Sequence, residues 1–148
     1  RCCRHFRSSG RAWSGWSTTN SFNTPASCII TNDFSLVATI GDIRADIVPG
    51  GPNTVSSSVT TINVIPTNFS DNVDLSVIAG MPVGASAVFN PATLVSPYSG
   101  GSEFFVIVIK STPVGVYTLT LQASGGGLLR TTVVLLSVTR YDIRFREL

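Results

Sequence analysis

Charge is scarce in this chain: Asp, Glu, Lys and Arg make up 12% of its 148 residues, and histidine occurs once, at position 5. Nucleophilic catalysis needs a base beside the nucleophile, and acid–base hydrolysis needs two carboxylates at a fixed separation. His5 lies far in sequence from any acid, and Asp71 and Asp74 flank a strand start, where aspartate ordinarily caps a turn. No enzymatic activity and no cofactor are therefore expected. Long apolar runs are lacking too. No window approaches about 18 uninterrupted apolar residues, so no transmembrane helix is read. The first residues also lack the apolar stretch of a secretory signal. No glycine-rich phosphate loop precedes a helical pattern; Gly125-Gly126-Gly127 lies between two alternating stretches and reads as a hairpin turn.

What the chain has instead is Ser, Thr, Val and Gly in quantity, with 43% apolar residues. That suits a sheet protein whose exposed faces carry hydroxyls rather than ion pairs, and it is too apolar for disorder. The length allows one domain with a substantial core and an arm. The few charges are unevenly placed. Residues 1–32 hold Arg1, Arg4, Arg7 and Arg11 and no acid, whereas residues 33–139 carry more acids than bases. Residues 140–148 are again weakly basic. This composition predicts a basic N-terminal arm over 1–32, a sandwich over 33–139 and an extension over 140–148.

Pro113 to Ala123, PVGVYTLTLQA, organises the sandwich. Tyr117, Leu119, Leu121 and Ala123 share one parity and Thr118, Thr120 and Gln122 the other, so the strand has one buried and one wet face. Pro113 and Gly115 turn the chain into it. A tyrosine placed there is expected to form a tyrosine corner, with its ring in the core and its hydroxyl bonded to upstream backbone; the alternative is an ordinary half-buried strand tyrosine. Before it, Phe34, Leu36, Ala38 and Ile40 alternate in a first strand, and Asp42 to Val48 reads as its short continuation. From Thr54 to Ile65 the apolar parity changes. A bulge near Thr60-Thr61 would keep both sets inward; otherwise the strand switches face or sheet. Val73 to Val77, Ala85 to Phe89, Ser102 to Lys110 and Leu129 to Val138 supply further strands. SEFFVIVIK is apolar at both parities and reads as central, with its second side against the arm or a partner. Seven or eight strands with turn signals every 8 to 12 residues or so predict an all-β, Ig-like antiparallel sandwich.

The order of motifs resembles prokaryotic extracellular Ig-like domains. Phe69-Ser70, Gly80-Met81-Pro82-Val83-Gly84, Phe89-Asn90-Pro91 and the Pro113-x-Gly115-x-Tyr117 corner stand where those domains carry their glycine-phenylalanine-serine, Gly-Leu-Pro-x-Gly, Phe-x-Pro and corner motifs. Asn68 replaces the usual glycine and Met81 the leucine. The resemblance covers about residues 33–139 and implies structural roles for Gly80, Pro82, Phe89, Pro113, Gly115, Tyr117, Leu119 and Leu121. It implies no catalytic residue. It also implies an extracellular or surface location, and use as spacers, as modules of secreted hydrolases or in adhesins.

The remaining candidates are peripheral. Cys2, Cys3 and Cys28 are the only cysteines. A bridge from Cys2 or Cys3 to Cys28 would close a loop of about 25 residues, worth roughly 3.5 kcal/mol, and leave an odd thiol. The adjacent Cys2-Cys3 pair lacks zinc-ligand spacing. Asn68-Phe69-Ser70 is a glycosylation sequon in a predicted loop. Asp33, Asp71 and Asp74 are weighed as calcium ligands, without a dense acidic loop. Trp13, Trp16 and Tyr98 could form a sugar platform, and the arm's arginines with Trp13 and Trp16 could grip nucleic acid, though the rest of the chain has no matching basic face. Tyr141, Ile143 and Phe145 alternate with charges in a strand-like tail that could pair with another subunit. The expected function is a non-enzymatic extracellular module, possible as the repeating subunit of a surface fibre assembled through arm and edge strands. The expected partners are copies of itself or neighbouring domains. The alternatives are a carbohydrate-binding or spacer module of a secreted hydrolase, and nucleic-acid contact through the arm.

Overall fold

The computed structural model describes residues 31–141. Within them there is no helix and there are ten strands: β1 (Asp33–Ala38), β2 (Asp42–Ile47), β3 (Thr54–Ser56), β4 (Thr60–Thr67), β5 (Val73–Ala79), β6 (Ala85–Asn90), β7 (Thr93–Leu94), β8 (Ser102–Ile109), β9 (Gly115–Gly125) and β10 (Leu128–Arg140). Two sheets result, antiparallel throughout except where β2 runs parallel to β10. In the first, β1 pairs with β4, β4 and β3 share one edge of β8, and β6 takes its other edge. In the second the order is β2-β10-β9-β5-β7. Because β1 with β2, and β3 with β4, are halves of split strands, the ten segments amount to seven long strands and the two-residue β7. Their pairing is that of an Ig-like sandwich.

Period-two alternation builds the core. Phe34 and Leu36, Ile62 and Val64, and Phe104, Val106 and Val108 point inward from the first sheet. Ile43, Ala45 and Ile47, Val73 and Leu75, Leu119 and Leu121, and Val134, Leu136 and Val138 meet them from the second. Tyr117 is half-buried against this core, and its hydroxyl donates to the Pro113 carbonyl at 2.9 Å. Two consecutive residues with positive φ, Gly126 (55°) and Gly127 (78°), make the tight β9–β10 hairpin of the kind that matches strand twist.

Two expectations are corrected by how the chain splits its strands. The first strand does not run in phase to Ile40 and continue. It leaves the first sheet after Ala38, and β2 joins the second sheet in parallel register with β10, Asp42 opposite Leu135. Ile40 lies in the crossing and is 53% exposed. The parity change around residue 60 is a bulge, but it sits at Ser57–Val59 rather than Thr60-Thr61. Between the Ser56–Ile107 and Thr60–Phe104 pairs, this strand spends one more residue than β8. Val55 stays half-buried and Thr60, Ile62 and Val64 turn inward, while Val59 is exposed.

Tyr98 is also corrected. The sequence offers it as an exposed turn aromatic, but it is 6% exposed. A left-handed backbone (φ 59°) swings its ring over Phe69, which packs in turn on Phe34. The Tyr98 hydroxyl donates to the Asp71 carbonyl at 2.5 Å. The β4–β5 loop is thereby tied to the β6–β8 connection. Burial, and then the nearby Asp71 carboxylate, raise the Tyr98 phenol above its ordinary pKa.

Two predictions follow from the backbone and from this cluster. Gly80 (φ 89°) has no room for a Cβ, which would lie inside contact distance of the Thr118 backbone, whereas nothing surrounds Gly127 (φ 78°) within 4 Å. Gly80→Ala should cost about 3–5 kcal/mol, conformational strain and overlap together, and Gly127→Ala only about 1–2 kcal/mol of strain. Urea midpoints at unchanged m-value measure both. For Tyr98, a folded pKa above the unfolded one means that its contribution is complete below about pH 10 and is lost as pH rises through the folded value. Tyr98→Phe should lower stability at neutral pH by about 1 kcal/mol and flatten the decline above pH 10, as read by denaturation at several pH values.

Candidate interaction surfaces

A sandwich has four edge strands, and each presents unpaired main-chain groups unless something guards it. The β2 edge is guarded by the bulge. Ser58 N–H donates to the Arg44 carbonyl at 2.8 Å, and Ser58 Oγ accepts from Arg44 N–H at 3.0 Å. Ser57, beside it, faces the other way: its N–H donates to the Val106 carbonyl and its Oγ accepts from Val106 N–H. One extra residue thus seals the side where the two sheets meet. The β2 surface also carries a polar cluster. Asp46 accepts from Arg44 Nε at 2.6 Å and from the Thr139 hydroxyl, and Arg44 reaches the Tyr141 hydroxyl at 3.2 Å. The Thr139 hydroxyl and then Arg44 hold the Asp46 carboxyl below the usual carboxylate range.

The β1 edge is guarded by a charge. Arg130 donates from Nε to the Phe34 carbonyl at 3.2 Å and pairs with Asp33 at 2.5 Å. The β5 edge is covered at its start by β7 and by the Leu75 N–H bond to the Ala92 carbonyl, and further along it is interrupted by a bulge between Val77 and Ala79. β6 differs from all three. Its residues Ala85–Asn90 include no charge, no proline and no bulge. Beyond its ladder with β8, its one main-chain bond among the described residues is Ala85 N–H to the Pro82 carbonyl. Its inward side chains Ala85, Ala87 and Phe89 are only half-buried, as are Val77 and Met81 across the same side. An apolar seam therefore runs beside an unguarded edge.

The outer faces are weakly charged as well. Val116, Leu129 and Val133 stand exposed on β9 and β10 among threonines. At one end a shallow hollow is lined by Ile47, Val48, Pro49, Lys110 and Arg140, the last donating to the Lys110 carbonyl at 2.7 Å.

The residues singled out from sequence are dispersed. Leu119 and Leu121 are in the core, Pro82 is buried, and Phe89 packs against Phe104, centroids 4.7 Å apart and rings tilted by 34°. Pro113 and Gly115 are exposed around the Tyr117 bond. Asn68 is exposed in the left-handed region (φ 51°), which asparagine tolerates better than most residues. Tyr141 is exposed but held by Arg44 and by its N–H bond to the Ile47 carbonyl. Asp33, Asp71 and Asp74 are not a calcium cluster: Asp33 pairs with Arg130, Asp74 accepts from the Thr93 hydroxyl, and no three metal-binding side chains gather among the described residues. Buried Tyr98 is unavailable as a sugar platform. Cys2, Cys3, Cys28, Trp13, Trp16, Ile143 and Phe145 lie outside the described residues. The open β6 edge went unread in sequence, although its signal, six residues of ASAVFN with neither charge nor proline, was present.

No protein-family model and no curated protein matches the chain. Among solved structures, a chimeric titin Z1Z2 carrying an exogenous KLER peptide from decorin is 13% identical over 75% of this chain and 99% of its own, with a TM-score of 0.36. The solution structure of the PKD domain of human KIAA0319 is 12% identical over 74% of this chain and 91% of its own, with a TM-score of 0.32.

Proposed function

We propose that this chain is a non-enzymatic Ig-like structural or interaction module of an extracellular or surface protein, working by sheet-edge pairing and serving as a repeating subunit of a surface fibre. The observation that carries the reading is the contrast among edges: among the described residues, three are guarded by a bulge, a charge or a covering segment, and β6 is not. Main-chain pairing at an open edge gives affinity, and alternate side chains give register. The extracellular location rests on the motif order around Phe69-Ser70, Gly80–Gly84 and Tyr117. No helix among the described residues is long and apolar enough to cross a membrane.

Sedimentation velocity and negative-stain microscopy of the full chain, and of the chain without residues 1–32, test this. The full chain should form species larger than one chain, and removal of the arm should shorten them. A monomer in both forms at every concentration overturns the proposal.

A further inference from the structure

Resting on the reading above, we infer that β6 pairs with itself: two copies of this chain join antiparallel, β6 to β6, about a two-fold axis, continuing the first sheet across the contact. The occupant of this edge must be an extended strand, because what β6 offers is a row of main-chain donors and acceptors. It must also bring apolar side chains to the seam formed by Val77, Met81, Ala85, Ala87 and Phe89. β6 itself meets both demands. Ala85, Ala87 and Phe89 lie on its seam side and Ser86, Val88 and Asn90 on its outer side.

The absence of charge makes a second copy of β6 an allowed partner where the other edges would not be. In a two-fold antiparallel pair every residue faces another of the same six, so any charge in the strand would meet its like in some register. β6 has none, whereas β1 and β2 would oppose Asp33, or Asp42, Arg44 and Asp46. The charges flanking β6 fit the same symmetry. Glu103 on β8 pairs with Asn90 at one end of β6, and Lys110, just past the end of β8, lies near the Ala85–Val108 pair at the other. Antiparallel pairing sets the acidic end of one copy alongside the basic end of the other. With about 14 Å, three strand spacings, between the two β8 strands, this charge pattern orients the pair weakly rather than binding it. Val88, on the outer side against Phe105, would also continue a half-buried apolar patch across the axis.

The test is sedimentation equilibrium of the full chain with reductant present, so that cysteines link no chains. The wild type is compared with a Ser86→Lys/Val88→Lys variant and a Ser86→Glu/Val88→Glu variant. Both positions face outward from the core, and thermal unfolding checks that each variant folds. The wild type should self-associate, and each variant alone should associate about tenfold more weakly or worse. An equimolar mixture of the two should recover association as a mixed dimer, which mere surface damage would not produce. Variants that associate as the wild type does, or a mixture that does not recover, overturn β6 self-pairing while leaving assembly through another surface standing. A wild type that stays monomeric overturns both.

Discussion

The crossing of the first strand from one sheet to the other decides which side of this sandwich is closed. At the crossing, the Thr60 hydroxyl accepts from Ile40 N–H at 3.0 Å and donates to the Ile40 carbonyl at 2.8 Å, so the polar backbone leaving the sheet is satisfied by the strand it leaves. The Gly41 carbonyl then accepts from Leu135 N–H, which delivers β2 into parallel register with β10. From that register Arg44 meets Ser58, and the bulge in the next strand can seal the edge. Thr60 and Ser57 are buried polar groups tolerated because each is fully bonded.

Charges are few among the described residues, and both of the ion pairs found there sit at sheet edges. Arg130 with Asp33, and Arg44 with Asp46, are exposed enough that their direct contribution to stability is small. Their placement, at the start of β1 and along β2, suits protection against unwanted pairing better than it suits stabilisation. A surface so poor in charge has little else with which to discourage association, so the position of each charged side chain carries information. Glu103 on the neighbouring strand and Lys110 just past its end bracket β6 without occupying it.

Strand identity and facing were legible wherever alternation was unbroken. Phe34 and Leu36, Leu119 and Leu121, and Val134, Leu136 and Val138 fall inward as their parity requires. Reading failed where parity counting meets a change of sheet or an inserted residue. Ile40 keeps the phase of Phe34 but lies beyond the end of β1, and Val59 keeps the phase of Val55 across a bulge that reverses it. Tyr98 failed for another reason: its neighbours Ser96, Pro97, Ser99 and Gly100 look like a wet turn, and only its positive φ returns the ring to Phe69. The open edge escaped because ASAVFN shows locally only that the strand carries no charge or proline of its own; what covers its far side is set by tertiary pairing, which local pattern does not record.

The asymmetry between the two sides follows from connection lengths. On the closed side the chain spends a whole strand, split into β1 and β2, so that both sheets receive a half. On the other side β5 passes to β6 through only Gly80–Gly84, with Gly80 and Gly84 both at positive φ. So short a turn leaves no chain for a further strand between the third and fourth long strands, and β7 contributes only two residues to the β5 edge. The small side chains of Ala85 and Ala87 are consistent with that arrangement. Larger residues there would bury themselves poorly in a monomer, whereas alanines leave a shallow seam that an added strand can cover without having to displace anything. A seam of this kind is a cost to a sandwich that stands alone, and it becomes an asset only where another backbone lies against it.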